Sequence, residues 1–494
     1  MTATSANTHT PVRARANCIR ILLLDCRSGA VVVERWFGAI RPPVWSELQE
    51  VTTRARAPYP ISLSRVLLAA ICLVASMWIG RGLWMASQPP PLITTNVEAA
   101  IDPSFLAGAD LDRLIATYSE RITHTSTPSD YLNLGLLYLE QARLSSDPAA
   151  SAAAASSFET AASLSPQDPT AVLGRARAAL AIHDFARAED LASSVLRQIP
   201  TRLDALAVQA DSRMAVGDIA GASRSLSLLR AGAGDVAPML VREAELAWLE
   251  GRLAQALELA EQSVPDAEDN PRRLAWYEGY AGTMAWRAGA LTAAKAWAEL
   301  ALEHDPEAIV ALTLAARLAQ GEGDLRAAAD FYEQATSGVP DPELVGELGD
   351  VYDRLGRSEE AELQWDLVDV IGTLADAEGL YDRSVARFYA DHDLQTERAL
   401  ALAQAEIEVR KDPLGYDTLA WTLYRAGRLD EARSAVEAAL AGGFSAPEVH
   451  YHHGLILLAL GDTDGGRRQL ERALNLNPSF DLRGAEHAWE ILAR

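Results

Sequence analysis

The chain has 494 residues, is 49% hydrophobic with only 6% aromatic side chains, and carries a formal charge of −24, so it can bury a large core built from small side chains. Ten Arg and four acidic residues give residues 1–81 a charge of +6, which leaves −30 for residues 82–494; a body that acidic repels phosphates, so no nucleic-acid partner is expected. The three cysteines, Cys18, Cys26 and Cys72, are all N-terminal, which excludes disulfides and thiolate chemistry from everything after residue 72.

Residues 1–60 read as a basic cytoplasmic tail. Within it "CIRILLLDCRSGAVVVERW" predicts a small β-hairpin turning at Ser28-Gly29. A second reading starts the protein near Val51, because "VTTRARAPYPISLSRVLLAA" has the form of a basic segment followed by an apolar one. Residues 61–86 are expected to be a transmembrane anchor. Val66 to Gly80 is uncharged, and with its flanks it reaches the roughly 20 residues needed to span a bilayer. Arg65 and Arg81 can snorkel at its ends, and Trp78 and Trp84 suit the interface. Arg54, Arg56 and Arg65 precede it, whereas the next cation after Arg81 is Arg113; this bias puts the N-terminus in the cytoplasm and the body outside. A cleaved signal peptide is the competing reading. Residues 87–97, with "QPPPL" at Gln88–Leu92, form a stiff spacer, and residues 98–494 form the body.

The body repeats itself. Gly217, Gly251, Gly289, Gly323, Gly356, Gly427 and Gly461 each end an apolar helical pattern, at spacings of 34, 38, 34, 33, 71 and 34 residues. A period in this range predicts a solenoid of helix-turn-helix units. Gly supplies the left-handed conformation that ends the first helix. Asp218, Asp324, Asp430 and Asp462 are placed to cap the second. Pro306, Pro340, Pro413 and Pro478 are expected to close units. Small residues, Ala188, Ala222, Ala256, Ala294, Ala328, Ala361, Ala399 and Ala432, recur where the two helices of a unit must approach. The stretches 169–234 and 369–412 follow the pattern poorly and are expected to be irregular.

These residues resemble the tetratricopeptide repeat. Leu134-Gly135-Leu136-Leu137-Tyr138 followed by Ala154, Phe158 and Pro166 matches its pattern, and so does Leu348-Gly349-Asp350-Val351-Tyr352 followed by Ala361 and Trp365. Gly282, Ala294 and Pro306 fit, as do Ala328, Tyr332, Ala335 and Pro340, and then Gly454, Leu470, Ala473 and Pro478, with Gly466 where Ala is usual. The resemblance covers about residues 130–478, some ten units. It implies an all-α, right-handed α-solenoid, here preceded by one transmembrane helix. The C-terminal run also looks like exported, membrane-anchored bacterial tetratricopeptide proteins of undefined role. Residues 479–494 would be a closing cap helix, and Asp102–Thr123 would cap the other end.

No catalytic motif is present: there is no G-x-S-x-G, no phosphate loop, no H-E-x-x-H and no C-x-x-C. Neither enzymatic activity nor a cofactor is expected. "GEGDLR" at Gly321 and "GDTDGG" at Gly461 fall at inter-helix turns. "HYHHG", with His450 and His453 on one helix face and His487 within possible reach, is the sharpest polar cluster, and packing is favoured over metal binding there. What remains is the concave groove that the first helices of the family line. Carried over unit by unit, its positions are Asp204, Asp211, Glu245, Trp248, Trp276, Thr283, Trp286, Arg317, Asp350, Asp353, Phe388, Asp417, Trp421, Tyr424 and Tyr451. About half of the Trp are expected to pack between units instead. The resemblance implies a membrane-anchored scaffold that binds protein or peptide partners on the extracytoplasmic side, and an acidic, aromatic groove would prefer a basic or Pro-rich segment. A chaperone-like envelope assembly factor, a metal-dependent protein using the His450–His453 region, and end-to-end self-association are the alternatives.

Overall fold

The computed structural model describes residues 22–24, 31–33 and 111–494, apart from 146–147, 266–269, 339 and 376–381. The chain divides into two units, Met1–Pro90 and Pro91–Arg494. In the first, strand β1 (Leu22–Leu24) pairs antiparallel with β2 (Val31–Val33), Leu22 opposite Val33, as the expected hairpin requires; its turn at Ser28-Gly29 lies outside the described residues. The expected anchor at 61–86 and the spacer lie outside the described residues. Among the described residues no helix is long and apolar enough to cross a membrane.

Among its described residues the second unit is all helical. Helix α1 (Leu111–His124) leads, and ten pairs follow. They are α2/α3 (Pro128–Ser145, Pro148–Leu164), α4/α5 (Pro169–Ala181, Phe185–Gln198), α6/α7 (Leu203–Ala215, Ile219–Ala233), α8/α9 (Ala237–Leu249, Leu253–Gln262) and α10/α11 (Pro271–Arg287, Leu291–His304). Then come α12/α13 (Ile309–Glu322, Leu325–Ala335), α14/α15 (Pro342–Arg354, Ser358–Ala375), α16/α17 (Asp382–Asp391, Thr396–Val409), α18/α19 (Pro413–Arg425, Leu429–Leu440) and α20/α21 (Pro447–Ala459, Thr463–Leu476). Helix α22 (Gly484–Ala493) closes the series.

All seven turn glycines have positive φ, between 69° and 87°. The side chains of Asp218, Asp324 and Asp462 accept the N–H of Gly221, Ala327 and Gly465, so each caps the second helix of its unit. Asp430 does not: α19 starts one residue earlier, behind Arg428, and Asp430 lies in its first turn. Pro413 opens α18 and closes nothing, because a missing N–H is harmless at the first helical position. The stretches expected to be irregular contain ordinary helix pairs. His183 (φ 61°) and Asp393 (φ 55°) take the left-handed turn position there, each 34 residues before the next turn glycine. A side chain that tolerates this conformation replaced glycine, so the glycine spacing passed over both turns.

The helices of a pair approach through small residues. Ala188, Ala222, Ala256, Ala294, Ala328, Ala361, Ala399 and Ala432 are all at most 1% exposed. In the first units Phe158 fills the space above both Gly135 and Gly174, where a β-carbon would collide with its ring.

The solenoid turns back on itself within five to six units, and its successive turns touch. Gly217 faces the Lys411 carbonyl, Gly251 the Gly443 carbonyl, Gly289 the Leu476 carbonyl, and Gly321 the Ser479 side chain. Trp248 meets Phe444 edge to face at 5.0 Å. Asn477, fully buried, donates its amide to the Trp286 carbonyl at 2.9 Å, and Arg354 pairs with Glu486. One apolar cluster therefore runs from Leu206 through Trp248 and Phe444 to Ile456, joining helices more than 200 residues apart.

Candidate functional site

First helices of successive units pack on one another, as α10 does on α12 and α16 on α18, and so converge on the concave side. Their inward side chains form a ladder in which each rung joins one first helix to the next. Arg242 on α8 makes a bidentate pair with Asp211 on α6 at 2.9–3.1 Å. Arg287 reaches Glu245 at 3.7 Å. Arg317 on α12 holds both Glu343 and Glu347 of α14, at 2.9 and 2.8 Å. Asp350 meets His392, just past the end of α16, at 2.7 Å, and Arg383 of α16 meets Asp412, the N-cap of α18, at 3.1 Å. The Trp421 indole N–H donates to Asp391 at 2.7 Å. Asp417 and His452, 2% and 3% exposed, pair at 2.9 Å beneath Trp421, whose ring stacks on His452 at 4.3 Å.

The ladder surrounds a cavity of about 100 Å³ between α14, α16 and α18, lined by Glu343, Glu347, Arg387, Phe388, Asp391 and Asp481 among others. It has room for one guanidinium or ammonium group with a few waters. Arg387 is its least committed cation: its ion pair with Asp391 is 3.7 Å long. The lining groups keep contact with solvent; the Glu343 side chain is 48% exposed. Burial raises the Glu448 carboxyl above its usual range against the pull of Arg387. It raises Asp391 likewise, although Arg387 and the Trp421 N–H favour the charged form. Burial also raises Glu245, which feels Arg287 from its own side and Asp412, Arg410 and Arg383 from the facing turn.

The residues expected in the groove take three different places. Asp211, Glu245, Arg317, Asp350 and Asp417 are ladder rungs, and Asp204 pairs with Arg202 at the start of its own helix at 2.7 Å. Trp248, Trp286, Phe388, Trp421 and Tyr451 are buried, so their area is spent inside the molecule. Trp276, Thr283, Asp353 and Tyr424 keep open surface; Trp276 stacks on Tyr280 and Tyr424 on Trp421. Sequence reasoning did not single out Glu343, Glu347, Arg383, Arg387, Asp391 or Glu448, and it placed His452 only in the HYHHG cluster, not with Asp417. A signal for part of this set exists: Asp211 and Arg242, Arg317 and Glu347, and Asp391 and Trp421 lie 30 or 31 residues apart, nearly one repeat.

The histidine cluster is divided by the fold. The His450 ring nitrogens face Ser445 and Gln469, at 2.9 and 2.7 Å, and burial lowers its pKa to about 4. His452 turns to Asp417, and His487 meets the Tyr451 hydroxyl at 2.9 Å. His453 is buried, with its pKa lowered by that burial. Among the described residues no group of three His, Cys, Asp or Glu is placed to hold a metal ion.

The family model for the tetratricopeptide repeat matches residues 132–202, 313–368 and 418–493. With the helix pairs and turn geometry above, the chain is a tetratricopeptide repeat protein, and such repeats form protein-interaction scaffolds. No curated protein matches the chain in sequence. Solved structures similar to it include the human IFIT1 dimer with PPP-AAAA, 15% identical over 78% of this chain and 91% of that one, with a TM-score of 0.43. A thermophilic tetratricopeptide protein of Thermus thermophilus, TTC0263, is 22% identical, over 40% of this chain and 99% of its own, at 0.34. Yeast Tom70 is 15% identical over 80% and 96%, at 0.32.

Proposed function

We propose that this protein is a non-catalytic scaffold that binds an extended segment of a protein partner on the concave face of its first helices. The observation that carries the reading is the cavity between α14, α16 and α18, where carboxylates outnumber guanidinium groups and Arg387 is only loosely paired. A partner segment bearing Arg or Lys would find acceptors there, and a partner carboxylate would find Arg387. The basic segment is favoured because Glu343, Glu347, Asp391 and Asp481 surround that single loose cation.

The reading extends to place. An anchor at 61–86 with the Arg-rich stretch before it would hold the solenoid on the extracytoplasmic face of a membrane. The sequence alone supports this part.

The test is photo-crosslinking in the native cells from a probe amino acid at Arg387, compared with one at Glu360 on the outer face. Partner adducts formed at 387 and absent at 360, and lost on Glu343→Lys, are the expected result. Adducts of equal yield at both positions would remove the concave face from the proposal. Adducts to cytoplasmic proteins alone would remove the extracytoplasmic location.

A further inference from the structure

The contacts between successive turns of the solenoid form a continuous seam, and they differ in kind from the contacts within a unit. Inside a unit, helix faces interlock around fully buried alanines. Across the seam, turns meet loops: Gly217, Gly251 and Gly289 lie against the carbonyls of Lys411, Gly443 and Leu476. Two side-chain contacts fasten the same line, the Asn477 amide on the Trp286 carbonyl and the edge of Trp248 against Phe444. The three glycines have positive φ, and a β-carbon on any of them would collide with the facing carbonyl. The close approach is therefore written into the backbone of both partners along several successive units.

The seam borders the face on which partners would bind. Glu245 of α8 feels Arg383, Arg410 and Asp412 from the facing turn, and the cavity beside α16 has room for a side-chain head group and not for a helix. We propose that the seam is a clasp: it holds the concave face of the units from α6 to α21 closed, and partner segments reach that face when the turns part. Local opening starts where the fewest interlocking contacts must break, and joined loops satisfy that condition better than packed helix pairs do. The clasp rests on the reading that the concave face binds partners, but its test needs no partner, so the two can fail separately.

The experiment uses the full chain with Cys18, Cys26 and Cys72 changed to Ser, which leaves no other thiol. Ser384→Cys places a reporter in the wall of the cavity, and Leu363→Cys places one on the exposed outer side of α15. Each is labelled with a maleimide carrying a bulky polymer. With the seam intact, position 384 is expected to react at least ten-fold more slowly than position 363. Asn477→Ala, alone and with Phe444→Leu, is expected to raise the rate at 384 about ten-fold and leave that at 363 unchanged. Equal rates at the two positions in the intact protein would mean an open face. A rate at 384 that ignores the seam substitutions would mean that the seam does not control access. A third reporter, Ala316→Cys, is buried inside a unit; if its rate rose together with that at 384, the substitutions would be unfolding the solenoid, which counts against a clasp.

Discussion

Single side chains decide whether a unit closes and how stability follows pH. Gly466 stands where other units carry Ala, and a β-carbon there would sit 2.8 Å from the Gly454 carbonyl oxygen and against Leu458. Gly466→Ala is therefore expected to destabilise the last unit by about 1–3 kcal/mol through overpacking, measured as a lowered urea midpoint. Burial holds His450 neutral, with its pKa lowered from 6.5 to about 4. The unfolded chain takes up this proton below about pH 6.5 while the folded chain refuses it until about pH 4, so the contribution of His450 to stability falls as pH drops through that window. Two and a half pH units correspond to about 3 kcal/mol at most. Asp341, raised to about 6 chiefly by burial, acts in the opposite sense, its protonated form being favoured in the fold. The clean measurement is thus a difference: a His450→Gln variant should show a flatter loss of stability between pH 6.5 and 4 than the parent. An unchanged slope would mean that His450 does not titrate in isolation.

At the scale of elements, the helix pair is the unit of construction, and what each sequence unit must contain is modest. It needs a small residue at the helix crossing, a residue that accepts positive φ at the turn, and usually an acidic cap. Replacing the crossing Ala361 by Leu is expected to cost about 1–3 kcal/mol, because no space exists between α14 and α15. By contrast Leu363, Val370 and Leu374 on the same α15 are 65%, 52% and 74% exposed. Changing each to Glu should alter stability by less than about 0.5 kcal/mol in denaturant titration, since among the described residues they face solvent. Most of the pairs were legible from glycine spacing and alanine positions. The units around His183 and Asp393 were not, since a period search looks for the residue glycine while the turn requires only a backbone angle. The same distinction explains Pro413, whose residue type marks a boundary without saying on which side of it the helix lies.

For the whole molecule, the seam changes how the solenoid is expected to unfold. A simple repeat array holds together by nearest-neighbour contacts, so its ends fray independently. Here one apolar cluster joins α6–α10 with α18–α20, whereas α2–α3 and α4–α5 have clusters of their own. While the seam is closed, hydrogen exchange should show α6–α10 and α18–α20 protected to a similar degree, with α2–α5 exchanging faster. Protection that declines smoothly from both ends would argue that the seam adds no cooperativity. The ladder of ion pairs belongs to this scale too. Its rungs are spaced by nearly one repeat, yet which Arg meets which carboxylate depends on how each first helix is rotated against the next. Asp211 and Arg317 were therefore foreseen as inward-facing, while Arg387, Asp391 and Glu448 were not.

By itself the sequence determined the class of fold, the position of most turns, the small residues at the helix crossings and the lack of familiar catalytic motifs. These are local properties: a period, a backbone angle, the size of one side chain. Only the tertiary structure decided that Trp248 and Trp286 are packing residues, that His452 belongs to Asp417, and that Asn477 reaches back to Trp286 across 191 residues of chain. Small rotations between successive units accumulate over five or six of them, and only their sum brings the turns into contact. No single repeat encodes that sum in a form that can be read from its residues.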